Sequence, residues 1–259
     1  MIRNLLIISG AGLVLAIVGI GGSLAMGGAD LARNSWTWVI DDNDRGGINI
    51  RRTEQDDIAV ATRAIDWVDT ARLTVSLPGN VTYVQTDAAP GITLTGPQDL
   101  LDRITFQNGQ LLMTERAGND TAYVRIGRDG IAGWSDREKL KITINANSVQ
   151  AFELQGSTNL EVRGYDKPSL DLVLTGGSDI EIQGRTQTLK VDASGHSSAE
   201  LDDLLTTDAT ITTTGNAGVK TSANGMVVVD GSGNSAVRLT RRPVELRQTL
   251  SGDAEVRQD

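Results

Sequence analysis

The residues with most to offer chemically are Asp179, Glu181, Glu200 and Lys220, which stand in the phrases "SDIEIQ", "SAEL" and "GVKT" at intervals close to twenty residues. Clustered carboxylates that hold Ca²⁺, with a lysine beside the proton to be abstracted, are what a lyase acting on acidic polysaccharide requires. A pair of carboxylates on one face would equally serve a glycoside hydrolase. Yet Glu181, Glu200 and Lys220 occupy the same outward place in a recurring phrase, as expected of a solvated stripe, and the segments between phrases are too brief to build a cleft. Other chemistries lack raw material. His196 is the only histidine and there is no cysteine, so a Ser-His-Asp relay, a multi-histidine metal site and thiolate ligands have nothing to draw on. A net charge of -9 without a basic stripe disfavours nucleic acid. The sequence nominates no catalytic residue, metal ligand or cofactor.

The elements that must position these residues follow from a repeat. Aligned on one glycine, the phrases give Gly156, Gly176, Gly195, Gly215, Gly233 and Gly252, spaced by 20, 19, 20, 18 and 19 residues. A fixed period near 19 signifies a solenoid. Four residues after each glycine stand Leu160, Ile180, Ala199, Val219, Val237 and Val256, and six after stand Val162, Ile182, Leu201, Thr221, Leu239 and Gln258. Before the glycine the alternation recurs as Leu170, Leu172 and Leu174, then Leu189, Val191 and Ala193. Period-two alternation excludes a helical solenoid and predicts two short strands per coil, joined at a glycine corner that needs positive φ. Aromatic residues make up only 3% of the chain against 29 glycines, so the core must be aliphatic. The expected fold is all-β: a parallel β-solenoid whose coils stack about 4.8 Å apart.

Stacking turns each repeat position into a column. The fifth position after the corner is outward and reads Glu161, Glu181, Glu200, Lys220, Arg238, Arg257, acidic on early coils and basic on late ones. Like charges at coil spacing repel by about 1 kcal/mol or less in water. That stripe is either solvated or matched by a partner or a neighbouring copy. The corner residues Asn159, Asp179, Ser197, Ser198, Asn216, Asn234 and Asp253 are types that turns favour for local hydrogen bonding.

The N-terminus is different in kind. After Arg3 no charged residue occurs until Asp30. Such a run is long enough for a membrane-spanning helix and exceeds the roughly 7 to 15 residues of a signal-peptide core. Arg3 keeps the N-terminus cytoplasmic and sends the remainder outward. Its length, with Trp36 and Trp38 just beyond, favours a retained anchor over residues 1–29 against a signal cleaved near Ser23-Leu24-Ala25. Residues 30–62 are expected to be a solvated linker, since "DDNDRGG" fails as a calcium loop where Arg45 replaces an oxygen ligand. Residues 63–259 then form the solenoid domain, with an insertion at 116–139.

The phrases "LQGSTNLEVRG", "LTGGSDIEIQG" and "DGSGNSAVRL", preceded by "AIDWVDTARLTVSLPGNVTYVQTD" and "GQLLMTE", resemble the GIN domain, a family (DUF2807) described as a putative autotransporter adhesin head domain. The similarity covers about residues 61 to 259. Gly195-His196-Ser197 and Gly215-Asn216-Ala217 are degenerate versions of its corners. The resemblance implies a right-handed parallel β-helix that is exported and faces the bacterial envelope. It brings no established catalytic residues.

The expected function is therefore non-catalytic: an envelope protein tethered at the inner membrane, its solenoid in the periplasm, presenting a surface to another protein or to itself as adhesin, scaffold or stress component. A last coil ending at Gln258 and Asp259 without a capping element also suggests self-association. Glycan binding is the alternative, with Tyr123, Trp134 and Tyr165 as exposed stacking aromatics and the 116–139 insertion as binding loop.

Overall fold

The computed structural model describes residues 36–42, 48–53, 60–114, 121–127, 130–135 and 139–259. The expected anchor over residues 1–29 lies outside the described residues. Among those described, no helix is long and apolar enough to cross a membrane.

The chain divides into two compact units. In the first, β1 (Trp36–Asp42), β2 (Ile48–Thr53), β9 (Ala122–Gly127) and β10 (Gly130–Ser135) form an antiparallel sheet in the order β10-β9-β1-β2. This corrects two expectations. The stretch expected as a linker carries two strands, because "TWVI" supplies the β-branched and aromatic residues a strand favours, and Thr37, Val39 and Ile40 are buried. The 116–139 insertion, expected as a binding loop, holds a hairpin, with Trp134 opposite Tyr123 in its register.

The second unit is the solenoid. Its post-corner wall runs through β11 (Lys141–Ala146), β5 (Gly79–Gln85), β13 (Thr158–Asp166), the first part of β15 (Asp179–Gly195), β16 (Ser198–Leu201), β18 (Gly218–Thr221), β20 (Ala236–Leu239) and β22 (Glu255–Gln258), every neighbour parallel. The pre-corner wall runs through β8 (Gln110–Met113), β4 (Arg72–Ser76), β12 (Ala151–Leu154), β14 (Ser169–Leu174), the last part of β15, β17 (Leu204–Gly215), β19 (Met226–Gly231) and β21 (Glu245–Leu250), again parallel throughout. A narrow third side joins the walls, where Gly184 and Arg185 stack between Tyr165-Asp166 and Leu204-Leu205. Before the regular coils come β3 (Ala61–Ile65), β6 (Gly91–Gly96) and β7 (Ile104–Gln107), while the single helical turn α1 (Gln98–Leu101) falls, except for its last residue, in the first unit. Here the ladder turns antiparallel, with β6 against β11 and β7 against β8.

The core lies between the walls. Leu160, Ile180, Ala199, Val219 and Val237 are each at most 3% exposed, and Val162, Ile182, Leu201, Thr221 and Leu239 are fully buried. From the other side Leu172 and Val191 meet them. The few aromatics collect at the early coils, where Tyr83, Phe152 and Tyr165 pack edge to face with centroids 5.2 and 6.4 Å apart. The two phenols remain satisfied: Tyr83 donates to the Ala146 carbonyl at 3.0 Å and Tyr165 to that of Ser169 at 2.6 Å. Tyr165, expected to be an exposed stacking residue, is therefore interior. The strand alternation is reset by a bulge between Val162 and Tyr165, where Gly164 takes φ +70° and turns the next side chain inward.

Five of the six corner glycines are required twice over. Gly176, Gly195, Gly215, Gly233 and Gly252 all have φ between +70° and +83°. At each, a Cβ would also meet the carbonyl oxygen of the preceding corner glycine at 2.7 to 3.0 Å. Gly156 shares the φ but has open space there. The stacking is held by backbone bonds of 2.7 Å from the N–H of Gly177, His196, Asn216, Asn234 and Asp253 to the carbonyl of the corner below.

Candidate interaction surface

Two residues past most corners stands a buried hydroxyl. Ser178 and Ser197 donate to the carbonyl three residues back at 2.9 and 3.0 Å, whereas Thr158 shares its one proton between the Leu77 carbonyl at 2.7 Å and that of Gln155, three residues back, at 3.1 Å. Ser235 pairs instead with Thr213 at 2.9 Å. These bonds close the turn and fix the direction in which each following strand leaves the corner. The spacing was visible in the sequence, but polar residues at an inward place are not signalled by hydropathy. Outside the corner, Asn216 joins His196 at 3.0 Å and Asn234 joins Asn216 at 3.3 Å, a side-chain ladder that ties three coils together.

From these corners the fifth residue points outward, and the register aligns the whole set. Glu161 lies beside Glu181, Glu181 beside Glu200, Glu200 beside Lys220, Lys220 beside Arg238, and Arg238 beside Arg257. Thr82 continues the column ahead of Glu161. The acidic half lines a shallow groove of about 350 Å³, walled by Asn80, Thr82, Glu161, Asp179, Glu181 and Glu200. Beyond Glu200 the column continues in the longer cationic side chains.

The charges of this wall are unevenly neutralised. Arg163 makes a forked pair with Glu161 at 2.5 and 2.8 Å. Lys220 is held by Asp202 at 2.8 Å, Arg238 by Asp259 at 2.9 Å and Arg257 by Glu255 at 2.7 Å. The Lys220 bond keeps the Asp202 carboxyl below the usual carboxylate range and raises the Lys220 ammonium. Among the described residues, no arginine or lysine pairs with Asp179, Glu181 or Glu200; Gln183 gives Glu181 one amide bond at 3.2 Å.

The pre-corner wall is built on the same inner pattern with a different outside. One of its outward columns reads Thr74, Glu153, Val173, Asp192, Thr212, Asp230, Thr249, so that an uncharged residue separates each carboxylate from the next. The other reads Arg72, Ala151, Asp171, Lys190, Thr210, Val228, Arg247, and nowhere stacks like charge on like. Carboxylates two coils apart lie about 10 Å from one another, near the screening length of physiological salt. On the post-corner wall they are adjacent.

The structure does bring Asp179, Glu181, Glu200 and Lys220 onto one face, as the lyase arrangement needed. However, among the described residues no three acidic or histidine groups are placed to hold a metal ion. Lys220, with its proton held more tightly by Asp202, is poorly suited to abstract one. Of the aromatic candidates, Tyr165 is interior and Tyr123 is a half-buried strand residue of the first unit. What the geometry offers is a long, exposed, charge-segregated wall on a rigid parallel scaffold.

That defines the class of protein: a β-solenoid whose outward columns form one continuous surface. Residues 71–243 match the family described as "Putative auto-transporter adhesin, head GIN domain", and the chain belongs to it. Among solved structures, a putative adhesin from Bacteroides fragilis is similar with a TM-score of 0.61 and 15% identity, over 78% of this chain and 98% of that one. A putative adhesin from Parabacteroides merdae aligns with a TM-score of 0.45 and 12% identity, over 77% and 96%. At 15% identity the likeness to the Bacteroides fragilis protein is one of fold alone. The search of curated proteins gave no match.

Proposed function

We propose that this chain is a non-catalytic, adhesin-like protein of the bacterial envelope. Residues 1–29 tether it to the inner membrane, and the post-corner wall of its solenoid binds a protein partner in the periplasm. One observation carries the reading: the two walls share their inner columns, yet only the post-corner wall stacks like charges on consecutive coils. Stacking like charges costs stability and does nothing for the fold, so a partner that neutralises them supplies the reason for their arrangement. The family description and the uncharged run after Arg3 support the export and the adhesin-like role.

The test is binding of the immobilised full chain to solubilised envelope proteins, with charge reversal on either wall. Glu161→Lys with Glu181→Lys and Glu200→Lys should abolish capture; Asp192→Lys with Asp230→Lys on the other wall should leave it. Equal loss from both sets would remove the reading. For the tether, the full chain should stay with membranes through an alkaline wash, whereas release would indicate a cleaved leader.

A further inference from the structure

The column of Glu161, Glu181, Glu200, Lys220, Arg238 and Arg257 changes sign at its midpoint, between the third and fourth members. A surface of that kind is complementary to itself in one orientation only. We propose that the partner of the post-corner wall is a second copy of this chain, packed face to face and antiparallel, with a two-fold axis along the strand direction passing between Glu200 and Lys220. This rests on the reading of that wall as the association surface.

The symmetry fixes the contacts. A two-fold axis in the plane of the interface and perpendicular to the solenoid sets the first member of one stripe against the last of the other. Glu200 of one copy meets Lys220 of the second, Glu181 meets Arg238, and Glu161 meets Arg257. A two-fold axis parallel to the solenoid would instead set glutamate on glutamate and arginine on arginine, so the charges select against the parallel dimer. Shape agrees with charge, because the acidic half is the concave part of the wall and the basic half carries its longer side chains. Lysine and arginine of one copy therefore enter the groove lined by Asp179, Glu181 and Glu200 of the other.

The central coils carry the attraction. Asp179, Glu181 and Glu200 form no direct ion pair among the described residues, although Arg163 acts on Glu181 and Lys220 on Glu200 at longer range, so a second copy supplies their direct cationic contacts. The cations are already engaged within the chain, Lys220 with Asp202 and Arg257 with Glu255, and Glu161 is held by Arg163, so Lys220 too must exchange an exposed pair on dimerisation. Arg238 exchanges its pair with Asp259 for Glu181, and both are exposed, so the exchange costs little. Six coils give a stripe only about 24 Å long, and with its flanking columns it covers less than the roughly 800 Å² per partner of a standard interface. The dimer is thus weak and salt-sensitive, and it is favoured where copies share a membrane surface that raises their effective concentration.

Sedimentation of the full chain in detergent, from about 10 μM to 1 mM and in low and high salt, tests this. The wild type should dimerise at low salt and dissociate as salt rises. Two variants decide the geometry: Lys220→Glu with Arg238→Glu and Arg257→Glu, giving an all-acidic stripe, and Glu161→Lys with Glu181→Lys and Glu200→Lys, giving an all-basic one. Each alone should lose at least roughly tenfold in self-affinity, while the two mixed should form a heterodimer. Neutral replacements Lys220→Gln, Arg238→Gln and Arg257→Gln serve where a reversal impairs folding, with circular dichroism as the check. A wild type that stays monomeric at 1 mM, or a dimer indifferent to both reversals, overturns the proposal. Should envelope-protein capture still depend on the stripe in a monomeric wild type, the association surface stands and only the second copy falls.

Discussion

The two walls of the solenoid face the same core and were built under the same constraint, yet they differ outside. On both, inward positions carry aliphatic residues packed to near-complete burial, because each coil must bury the next. On the pre-corner wall, charges are spaced so that a neutral residue interrupts every carboxylate stack. On the post-corner wall three glutamates are consecutive, and three cations follow. Stacking in register therefore forces the interior to repeat but leaves the exterior free. Where a free position nonetheless keeps one sign over three coils, the fold does not require that arrangement.

The comparison can be pressed hardest at the core, where the walls should be equivalent. Ile182→Ala on the post-corner wall and Leu172→Ala on the pre-corner wall each remove a fully buried branched side chain, and both should cost about 3 kcal/mol in chemical denaturation. A wall that tolerated the change would not share the core. Corners come next. Gly195→Ala combines positive φ with a Cβ 2.7 Å from the Gly176 carbonyl, for about 3 kcal/mol, whereas Gly156→Ala meets open space and should cost about 1 to 2 kcal/mol. Equal losses at the two glycines would mean that stacking adds nothing to the strain.

A pH effect separates early coils from late ones. Burial pushes the Tyr83 phenol up to about 12 from its usual value near 10. Its neutral form is thus favoured by folding, and the stability tied to it is complete below pH 10 and lost as pH rises toward 12. Tyr83→Phe should lessen that alkaline decline in thermal melts, the rest staying with the Tyr165 phenol, which burial also raises, and an unchanged slope would put the titration elsewhere. The smallest effect lies outside. Glu181→Gln removes repulsion from two stacked neighbours and should raise the stability of dilute protein at low salt by about 0.5 kcal/mol. Asp192→Asn, with Val173 and Thr212 beside it, should change it less, and added salt should erase the difference.

The repeat was legible because its signals are local. A glycine every 19 residues or so and aliphatic residues four and six places later are properties of one coil, and their recurrence gives the solenoid and the stripe without coordinates. Gly184 was harder to see: a Cβ there would lie 2.1 Å from the Tyr165 carbonyl, a clash set by a neighbouring coil. Simple alternation from Leu160 and Val162 would point Tyr165 outward, and only the bulge at Gly164, which resets that alternation, turns it inward. The strands β1 and β2 were missed because they lie outside the repeat: β2 pairs with its neighbour β1, and β1 is tied into a sheet only by β9, more than eighty residues away.

The sequence by itself determined that the chain forms parallel coils, that its interior is aliphatic, and that one outward position changes sign halfway, since each is a pattern within or between identical units. Only the tertiary structure decided that the acidic half is a groove, which cations are already held by Asp202, Glu255 and Asp259, and that the opposite wall keeps its carboxylates apart. Those facts depend on register and on side chains from different coils meeting in space, and coils of 18 to 20 residues absorb their differences in ways that spacing alone does not reveal.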